Sequence, residues 1–278
     1  MSHAEEIREG ERFEFGANWS RFLEHLDDER IAQARESLKA SLGVSTLEGQ
    51  SFLDVGSGSG LFSLAARMLG ARVRSFDYDP KSVACTRELR QRYFPEDRQW
   101  SVEAGSVLDQ AFLGTLGQHD IVYSWGVLHH TGQMHQALSN VAPLVAPDGR
   151  LFIAIYNDQG GTSRRWTKVK RLYCSGPAGR LLVRLAFYPY FAADRLITDI
   201  VLRQNPFASY AAYKRARGMS VVHDWEDWLG GYPFEVAKPE EIFDLYRNRG
   251  FALEWMKTCG GGLGCNEFIF KRGLAAGG

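Results

Sequence analysis

This sequence of 278 residues lacks paired cysteines, long apolar runs and a net charge. Its cysteines, Cys85, Cys174, Cys259 and Cys265, show no CxxC spacing, which argues against a zinc site or a disulfide framework. No apolar run reaches the roughly eighteen residues that a membrane-spanning helix needs. The first stretch, MSHAEEIREGERFEF, is too acidic and polar for a signal peptide. We therefore expect a cytoplasmic protein that is neither secreted nor membrane-spanning.

The zero net charge hides an internal asymmetry. Between Asn157 and Arg217 the chain has twelve Lys or Arg residues and three acids, whereas the rest carries the opposite excess. Such a basic segment suggests a partner of its own, either an acidic substrate or an anionic surface.

No internal repeat or low-complexity tract is visible, and the middle of the chain alternates short apolar runs with amphipathic stretches. The predicted strands are Ser51–Val55, Arg72–Asp77, Trp100–Glu103, Asp120–Trp125 and Arg150–Tyr156. The stretches Leu61–Leu69 and Pro80–Tyr93 have lengths that suit crossover helices between parallel strands. This alternation predicts a doubly wound α/β sheet.

The flanking segments follow a helical pattern. Apolar residues at helical spacing predict one or two helices over Trp19–Leu42, and PEEIFDLYRNRG predicts a helix from Pro239 to Gly250. The basic segment predicts helices around Arg164–Tyr173, Gly179–Phe187 and Asp194–Arg203, interrupted by SGP and NPF. The stretches FALEWMK and NEFIFKR predict two closing strands. We thus expect a helical lid (1–50), an α/β core (51–157), a basic helical insertion (158–235) and a segment completing the core sheet (236–278).

The stretch FLDVGSGSGLFSLAARMLG lies where the first predicted strand turns into the first crossover helix. Glycines at Gly56, Gly58 and Gly60 allow a sharp bend and bring backbone N–H groups close to a ligand. Asp77 ends the second predicted strand, and its carboxylate can accept hydrogen bonds from both hydroxyls of a ribose. Together these residues indicate an adenosine-bearing cofactor.

The residue before the glycines distinguishes between such cofactors. Dinucleotide enzymes favour G-x-G-x-x-G, with the pyrophosphate on the helix N-terminus. Here Asp54 stands two residues before Gly56, and its carboxylate would repel a pyrophosphate but suits a cationic ligand group. The stretch resembles motif I of the class I S-adenosylmethionine (SAM)-dependent methyltransferases, whose cofactor is a sulfonium without phosphate.

The resemblance continues along about Phe52–Asn157 and Pro239–Arg272. The family's later elements resemble further stretches of this sequence in order and spacing. These stretches are FDYDP, EAGSVLD, DIVYSWGVLHHT, PLVAPDGRLFIAIYN and the two closing strands. The resemblance implies a seven-stranded, mostly parallel Rossmann-like sheet, with SAM as cofactor and S-adenosylhomocysteine as product. Asp77 would hold the ribose, Tyr78 would pack on the adenine, and Ser106 and Val107 would line the adenine edge, although many relatives have Asp at the Ser106 position. The implied cofactor-binding set is Asp54, Gly56, Ser57, Gly58, Gly60, Asp77, Tyr78, Ser106, Val107 and Trp125.

Within the family, VLHH and the long insertion resemble the small-molecule branch, which includes the ubiquinone-biosynthesis O-methyltransferases. No NPPY or DPPY tetrad follows the fourth strand, and no convincing set of two acids and an amide is present to hold magnesium. We therefore expect metal-free transfer of a methyl group from SAM to an oxygen, or as second choice a nitrogen, of a small-molecule or lipid-linked acceptor. The alternatives are a non-catalytic SAM-binding scaffold and, more weakly supported, a nucleotide-dependent dehydrogenase.

The histidine pair after the fourth strand suggests a general base. His129 and His130 fall at the carboxyl edge of the sheet, where methyl group and acceptor should meet, and histidine accepts protons near neutral pH. The alternative is that one ring only packs under the loop. Residues expected to contact the acceptor are Trp19, Tyr156, Asn157 and Tyr232, each with a purely structural alternative.

The basic insertion mixes cations with aromatic residues. It is expected to cap the acceptor pocket and to offer a surface for a homodimer. The alternative is a peripheral membrane contact, with arginines on anionic headgroups and aromatic residues at the interface. Those aromatic residues are Trp166, Phe187, Tyr188, Tyr190 and Phe191. Nucleic acid is a less favoured partner, because no recognised nucleic-acid module is present.

Overall fold

The computed structural model describes residues 3–201 and 221–273. Its strands are β1 (Ser51–Val55), β2 (Arg72–Asp77), β3 (Trp100–Ala104), β4 (His119–Trp125), β5 (Val145–Tyr156), β6 (Phe251–Lys257) and β7 (Cys265–Arg272). The helices before β5 are α1 (His3–Arg8), α2 (Gly16–Glu24), α3 (Asp28–Leu42), α4 (Leu61–Met68), α5 (Pro80–Tyr93), α6 (Gln110–Gly114) and α7 (Met134–Val141). Those after it are α8 (Gly161–Cys174), α9 (Pro177–Val201), α10 (Val221–Gly230) and α11 (Pro239–Arg247). Short 3₁₀ turns cover Leu128–His130 and Ala142–Leu144.

The strands form one sheet in the order β3-β2-β1-β4-β5-β7-β6. β1 to β5 pair in parallel, whereas β7 runs antiparallel to both β5 and β6. Apolar clusters cover both faces of the sheet, so strands such as β1 are buried on both sides. The predicted doubly wound fold is confirmed. The strand order reverses at β1, and in such sheets ligands bind beyond the strand ends at this switch point.

Local sequence signals account for where the helices begin and end. Asp79 precedes α5, accepts the N–H of Lys81 at 2.8 Å and is followed by proline at the first helical position. Asp27 caps α3 in the same way through the N–H of Arg30, and Gly43 ends that helix at φ +65°.

β5 begins at Val145, five residues before the predicted start at Arg150. Val145 pairs with His119 of β4, and pairing resumes between Arg150 and Ile121. The intervening APDG stretch forms a bulge in which Asp148 has φ +65°. The polar, turn-forming composition of this stretch concealed the strand on its amino-terminal side.

In the segments that flank the core, the helices differ from the prediction in number and in where they are interrupted. The lid comprises α1, α2 and α3 rather than only helices within Trp19–Leu42. The predicted helices at Gly179–Phe187 and Asp194–Arg203 are joined in the single helix α9, which tolerates Pro189 at an exposed position. The end of the second predicted helix, the NPF breaker and the basic residues at 214–217 lie outside the described residues. Along 3–201 and 221–273, no helix combines the length and apolarity needed to cross a bilayer.

Candidate active site

A cavity of about 1280 Å³ opens at the carboxyl ends of the parallel strands. The loops after β1 to β4 form its floor, the lid forms one wall, and the insertion contributes α9 and α10. Ligand pockets commonly measure about 300–1,000 Å³. The volume is therefore sufficient for a cofactor and a second small molecule together.

The glycine loop after β1 is shaped by close neighbours. Gly56 has φ +80°, and a β-carbon there would lie 2.3 Å from Val127 Cγ1. A β-carbon on Gly58, at φ +55°, would lie 3.1 Å from the Trp19 ring, and one on Gly60 would lie 2.9 Å from the Thr86 backbone. Gly56 and Gly58 line the cavity, whereas Gly60 packs against α5 and does not. Gly60 therefore serves the turn rather than the cavity surface.

Asp77 stands at the end of β2 with its carboxylate fixed by the backbone. Oδ2 accepts the N–H of Gly58 at 2.9 Å, and Oδ1 accepts that of Asp79 at 2.9 Å. Burial raises the pKa of Asp77 to about 6, although these hydrogen bonds oppose the rise. A half-buried carboxylate oriented in this way, with lone pairs left over, is suited to accept hydroxyl hydrogen bonds.

Asp54 is more deeply buried and is held by a chain of polar side chains. Ser63 Oγ donates to Asp54 Oδ2 at 2.5 Å and contacts Ser75 Oγ at 2.7 Å, which in turn accepts the indole N–H of Trp100 at 3.0 Å. Burial raises the pKa of Asp54 to about 7, opposed by Ser63 and reinforced by Asp77. Sequence reasoning did not predict this series of hydrogen-bonded side chains. Its signal was a serine at a buried position in each of α4 and β2.

The lid closes over Tyr78, which follows Asp77. The Tyr78 hydroxyl donates to Glu6 Oε1 at 3.1 Å, and the Arg12 guanidinium lies 5.1 Å from the ring centroid. Arg12 also pairs with Glu6, and the His3 ring meets Tyr78 edge-on at 5.2 Å. These contacts tie α1 to the cofactor half of the cavity. Sequence reasoning did not identify Glu6 or Arg12, because they lie about seventy residues away along the chain.

Ser106, Val107, Ser57 and Trp125 also line the cavity. Val107 is buried, and its carbonyl accepts the side-chain amide of Asn140 at 2.9 Å. Trp125 is 45% exposed at the end of β4. The predicted cofactor residues therefore meet at one edge of the sheet, with Gly60 behind them.

His130 lines the cavity, and a hydrogen bond to a neighbouring residue defines its tautomer. Its Nδ1 lies 2.6 Å from the carbonyl of Pro233, so Nδ1 carries the proton and Nε2 is left as an acceptor. Burial lowers the pKa of His130 to about 3, and the cations Lys170 and Arg12 lower it further, against the Pro233 hydrogen bond. The ring is therefore neutral at physiological pH and presents a hydrogen-bond acceptor.

His129 lies elsewhere. Its side chain is fully buried and is absent from the cavity lining, and its ring packs 4.1 Å from that of Tyr156. Nδ1 accepts the N–H of Tyr156 at 3.3 Å, while buried Nε2 has no partner. Burial, with His130 and Lys170 nearby, holds its pKa well below the usual range. In this arrangement the ring cannot touch a molecule in the cavity, which corrects the expectation that both histidines face the acceptor.

Aromatic side chains surround the part of the cavity beyond His130, which we call the acceptor chamber. Its lining comprises Phe13 and Phe15 from the lid, Tyr156 from β5, Phe191 from α9, and Trp225, Asp227 and Trp228 from α10. Asn18 of the lid donates its side-chain N–H to Asp227, so lid and insertion meet across the chamber.

The other residues expected at the acceptor occupy different places. Trp19 lines the cavity but covers Gly58, on the cofactor side. Asn157 lies outside the main cavity, where its side-chain oxygen accepts from Asn266 at 3.0 Å. Tyr232 is also outside the lining, and its carbonyl accepts the N–H of Phe13 at 2.8 Å. These two residues hold strand end and lid in place.

Lys170 is a charged residue that sequence reasoning did not single out. Its side chain is 1% exposed, donates to the Trp228 carbonyl and lies 4.2 Å from the Trp228 ring centroid. A β-carbon on Gly231 would be 3.5 Å from Lys170 Nζ and 3.3 Å from His130 Cε1, so this bare glycine separates ammonium from imidazole. Burial lowers the pKa of Lys170 to about 7.

Within the described ranges no three His, Cys, Asp or Glu side chains are grouped as a metal site would require. The expectation of metal-free chemistry stays a prediction.

Comparison with known proteins agrees with this geometry. Residues 53–151 match a family described as a methyltransferase domain. The chain is 32% identical over 112 residues to a ribosomal protein L11 methyltransferase from Tolumonas auensis, covering 37% of each chain. It is 31% identical over 113 residues to a ubiquinone biosynthesis O-methyltransferase from Aeromonas salmonicida, covering 40% of this chain and 45% of the relative. The chain thus spans less than half the length of these two curated relatives.

Among solved structures, magnesium protoporphyrin IX methyltransferase from Synechocystis with bound S-adenosylhomocysteine superposes with a TM-score of 0.54. The alignment covers 92% of this chain and 94% of that one, at 15% identity. This likeness shows that the two proteins share a fold.

Proposed function

We propose that this chain, whose residues 53–151 form a class I SAM-dependent methyltransferase domain, transfers a methyl group from SAM to a small-molecule acceptor. The oxygen of a hydroxyl is the first choice of acceptor atom and a nitrogen the second. SAM is the cofactor that the domain and fold indicate.

The observation that carries the proposal is the pair of carboxylates beside the bare glycine loop, one of them buried and the other half-buried. Asp54 and Asp77 both line the cavity at the switch point of the sheet. Asp77 is suited to ribose hydroxyls, and Asp54 is suited to the cationic end of a sulfonium amino acid. The Asp54 carboxylate would oppose a pyrophosphate, which disfavours the dehydrogenase alternative.

Bound SAM supplies a methyl carbon that is already activated by the sulfonium, so the protein's contribution is mainly alignment. Fixing two reactants in line can lower a barrier by roughly 7–11 kcal/mol in favourable cases. The acceptor chamber provides flat apolar walls, and the lid and α10 close it through Asn18 and Asp227.

His130 is the residue best placed to act on the acceptor. Its Nε2 can accept a hydrogen bond from an acceptor hydroxyl and so orient a lone pair towards the methyl carbon. Its pKa of about 3 makes the free protein's imidazole a weak base, so orientation is its larger contribution. His130 is thus assigned as the acceptor-contacting residue and His129 as its structural support.

The test combines binding and transfer. SAM binding is measured by calorimetry, and the protein is then incubated with methyl-labelled SAM and fractionated extract, followed by mass spectrometry of products that gain the label. Binding together with a labelled small molecule supports the proposal. Binding without transfer to any fraction supports the scaffold alternative, and absence of SAM binding refutes both. An Asp77→Ala variant, which should lose SAM affinity, controls for adventitious label.

A further inference from the structure

Helix α9 carries most of the large hydrophobic side chains that the described residues expose. Eight of twelve lie on this helix, and we call them the α9 apolar face: Leu181, Leu182, Leu185, Tyr190, Leu196, Ile197, Ile200 and Val201. Leu185 is 66% exposed and Ile200 64%. Single exposed apolar residues are ordinary, but soluble monomers rarely expose so many large apolar side chains along one helix. This exposure of large apolar side chains indicates that another apolar surface, of lipid or of protein, covers the α9 apolar face.

The opposite side of α9 is already packed. Val183 is buried, Phe187 lies 5.3 Å from the Trp166 ring, and Phe191 lies 5.5 Å from the Trp225 ring. The helix is thus apolar on two sides while the protein covers only one. A helix that is hydrophobic all round normally lies inside a protein core or in contact with lipid.

The neighbouring helix α8 supplies charge of one sign. Its exposed basic residues are Arg164, Arg165, Lys168 and Arg171, which we call the α8 basic face. Arg164, Lys168 and Arg171 recur at intervals of four and three and so share one side of the helix, and Arg165 extends that side. α8 contains no acid, and it packs against α9. An ion pair on this face, between Arg171 and Glu11, is long at 3.9 Å and largely exposed.

The positive charge of the α8 basic face distinguishes between the surfaces that could cover the α9 apolar face. Pairing of α9 with a second copy would add the charge of a second α8, which packs on α9, and this addition of like charge is unfavourable. An anionic lipid surface would neutralise the cations and also accept the apolar side chains.

We propose that the α9 apolar face and the α8 basic face together form a peripheral membrane contact, with α9 lying in the interface of an anionic leaflet. Phe191, on the inner side of α9, lines the acceptor chamber. The helix that contacts lipid is thereby also a wall of that chamber. The observations that support this membrane contact concern only surface residues of the insertion. The membrane proposal therefore does not depend on the proposed methyl transfer.

The experiment is co-sedimentation of the full chain with vesicles of phosphatidylcholine alone and of phosphatidylcholine with phosphatidylglycerol. The protein should sediment with the anionic vesicles only, and added salt should weaken binding. Leu185→Glu combined with Ile197→Glu should abolish sedimentation. Thr198→Glu, on the same helix but outside the apolar face, is the matched control and should still sediment.

The charge requirement has its own variants. Arg164→Gln, Arg165→Gln and Lys168→Gln together should weaken binding to anionic vesicles about a hundredfold, since each cation near an anionic leaflet contributes roughly fivefold. The charge-matched control replaces the exposed residues Arg87, Arg98 and Arg247 by Gln and should bind as the parent does. Unchanged circular dichroism and S-adenosylhomocysteine binding would show that the variants are folded.

Three outcomes would overturn the proposal. The first is no sedimentation with anionic vesicles, or sedimentation that ignores the α9 substitutions. The second is a dimer, seen by light scattering, that the Leu185→Glu and Ile197→Glu pair dissociates, which would assign the face to a second copy. The third is protection of a cysteine introduced at Ile197 from a thiol reagent in the lipid-free monomer, which would indicate that another part of the chain covers the face.

Discussion

Replacing Asp54 by Asn tests the central electrostatic argument. The carboxylate is buried beside Ser63, and burial raises its pKa from 3.8 to about 7. Because the folded pKa is raised, the folded protein holds the proton more tightly than the unfolded chain does. Stability from this group is therefore complete below about pH 4 and is lost as the pH rises through about 7.

The size of the effect follows from the shift. A shift of about three pKa units corresponds to about 4 kcal/mol, of which roughly 2 kcal/mol is lost between about pH 5 and pH 7. Asn has nearly the same shape and no charge at either pH. Asp54→Asn should therefore remove this part of the pH dependence and leave the cofactor-free protein more stable at neutral pH than the parent.

The assay is urea denaturation of the cofactor-free protein at the two pH values. Asp148→Asn removes an exposed carboxylate and serves as a control that should leave the pH dependence unchanged. SAM affinity should move the opposite way, falling about 10–100-fold in Asp54→Asn because a charged hydrogen bond is lost. Equal pH dependence in parent and Asp54→Asn would refute the raised pKa, and unchanged SAM affinity would refute the cofactor contact.

Three further predictions use single substitutions. Gly56→Ala should abolish SAM binding and destabilise the protein because its β-carbon would lie 2.3 Å from Val127. Gly49→Ala, at nearly the same φ with open space around it, should lower the free energy of unfolding by only about 1 kcal/mol in a denaturation assay. Equal losses in the two variants would contradict the steric explanation. Asp77→Ala should weaken SAM binding by roughly 1–3 kcal/mol in calorimetry, and unchanged affinity would remove the ribose assignment. His130→Gln should lower turnover with SAM affinity intact, whereas His129→Ala should lower the free energy of unfolding by about 2–4 kcal/mol through the void it leaves; the reverse pattern would exchange the two roles.

The cofactor half of the site could be predicted because its signals are local. Gly56, Gly58 and Asp77 stand at strand ends, and parallel strands bring their carboxyl ends to one edge whatever the side-chain packing. The resemblance to the methyltransferase family placed Tyr78, Ser106 and Trp125 at that edge. The strand bulge at 146–149 was missed because its turn-forming residues look like a loop until β4 is seen to pair on both sides of it.

The acceptor half could not be predicted in the same way. His129 and His130 are neighbours in sequence, yet one ring is enclosed by packing against Tyr156 and the other reaches the cavity. No sequence pattern distinguishes them, since consecutive residues on a tight turn face different surroundings. Arg12, Asp227 and Trp228 come from the lid and α10, more than two hundred residues apart, and only chain packing brings them together.

The sequence by itself determined the doubly wound sheet, the crevice at β1 and the kind of cofactor, because hydrophobic periodicity and glycine conformations act over a few residues. Tertiary structure alone decided which groups are charged and which are covered. Burial shifts the proton affinities of Asp54, His130 and Lys170, and the packing of α8 on α9 determines which apolar side chains remain exposed. Desolvation and exposure depend on the distances between elements that are remote in sequence, so they are properties of the folded chain.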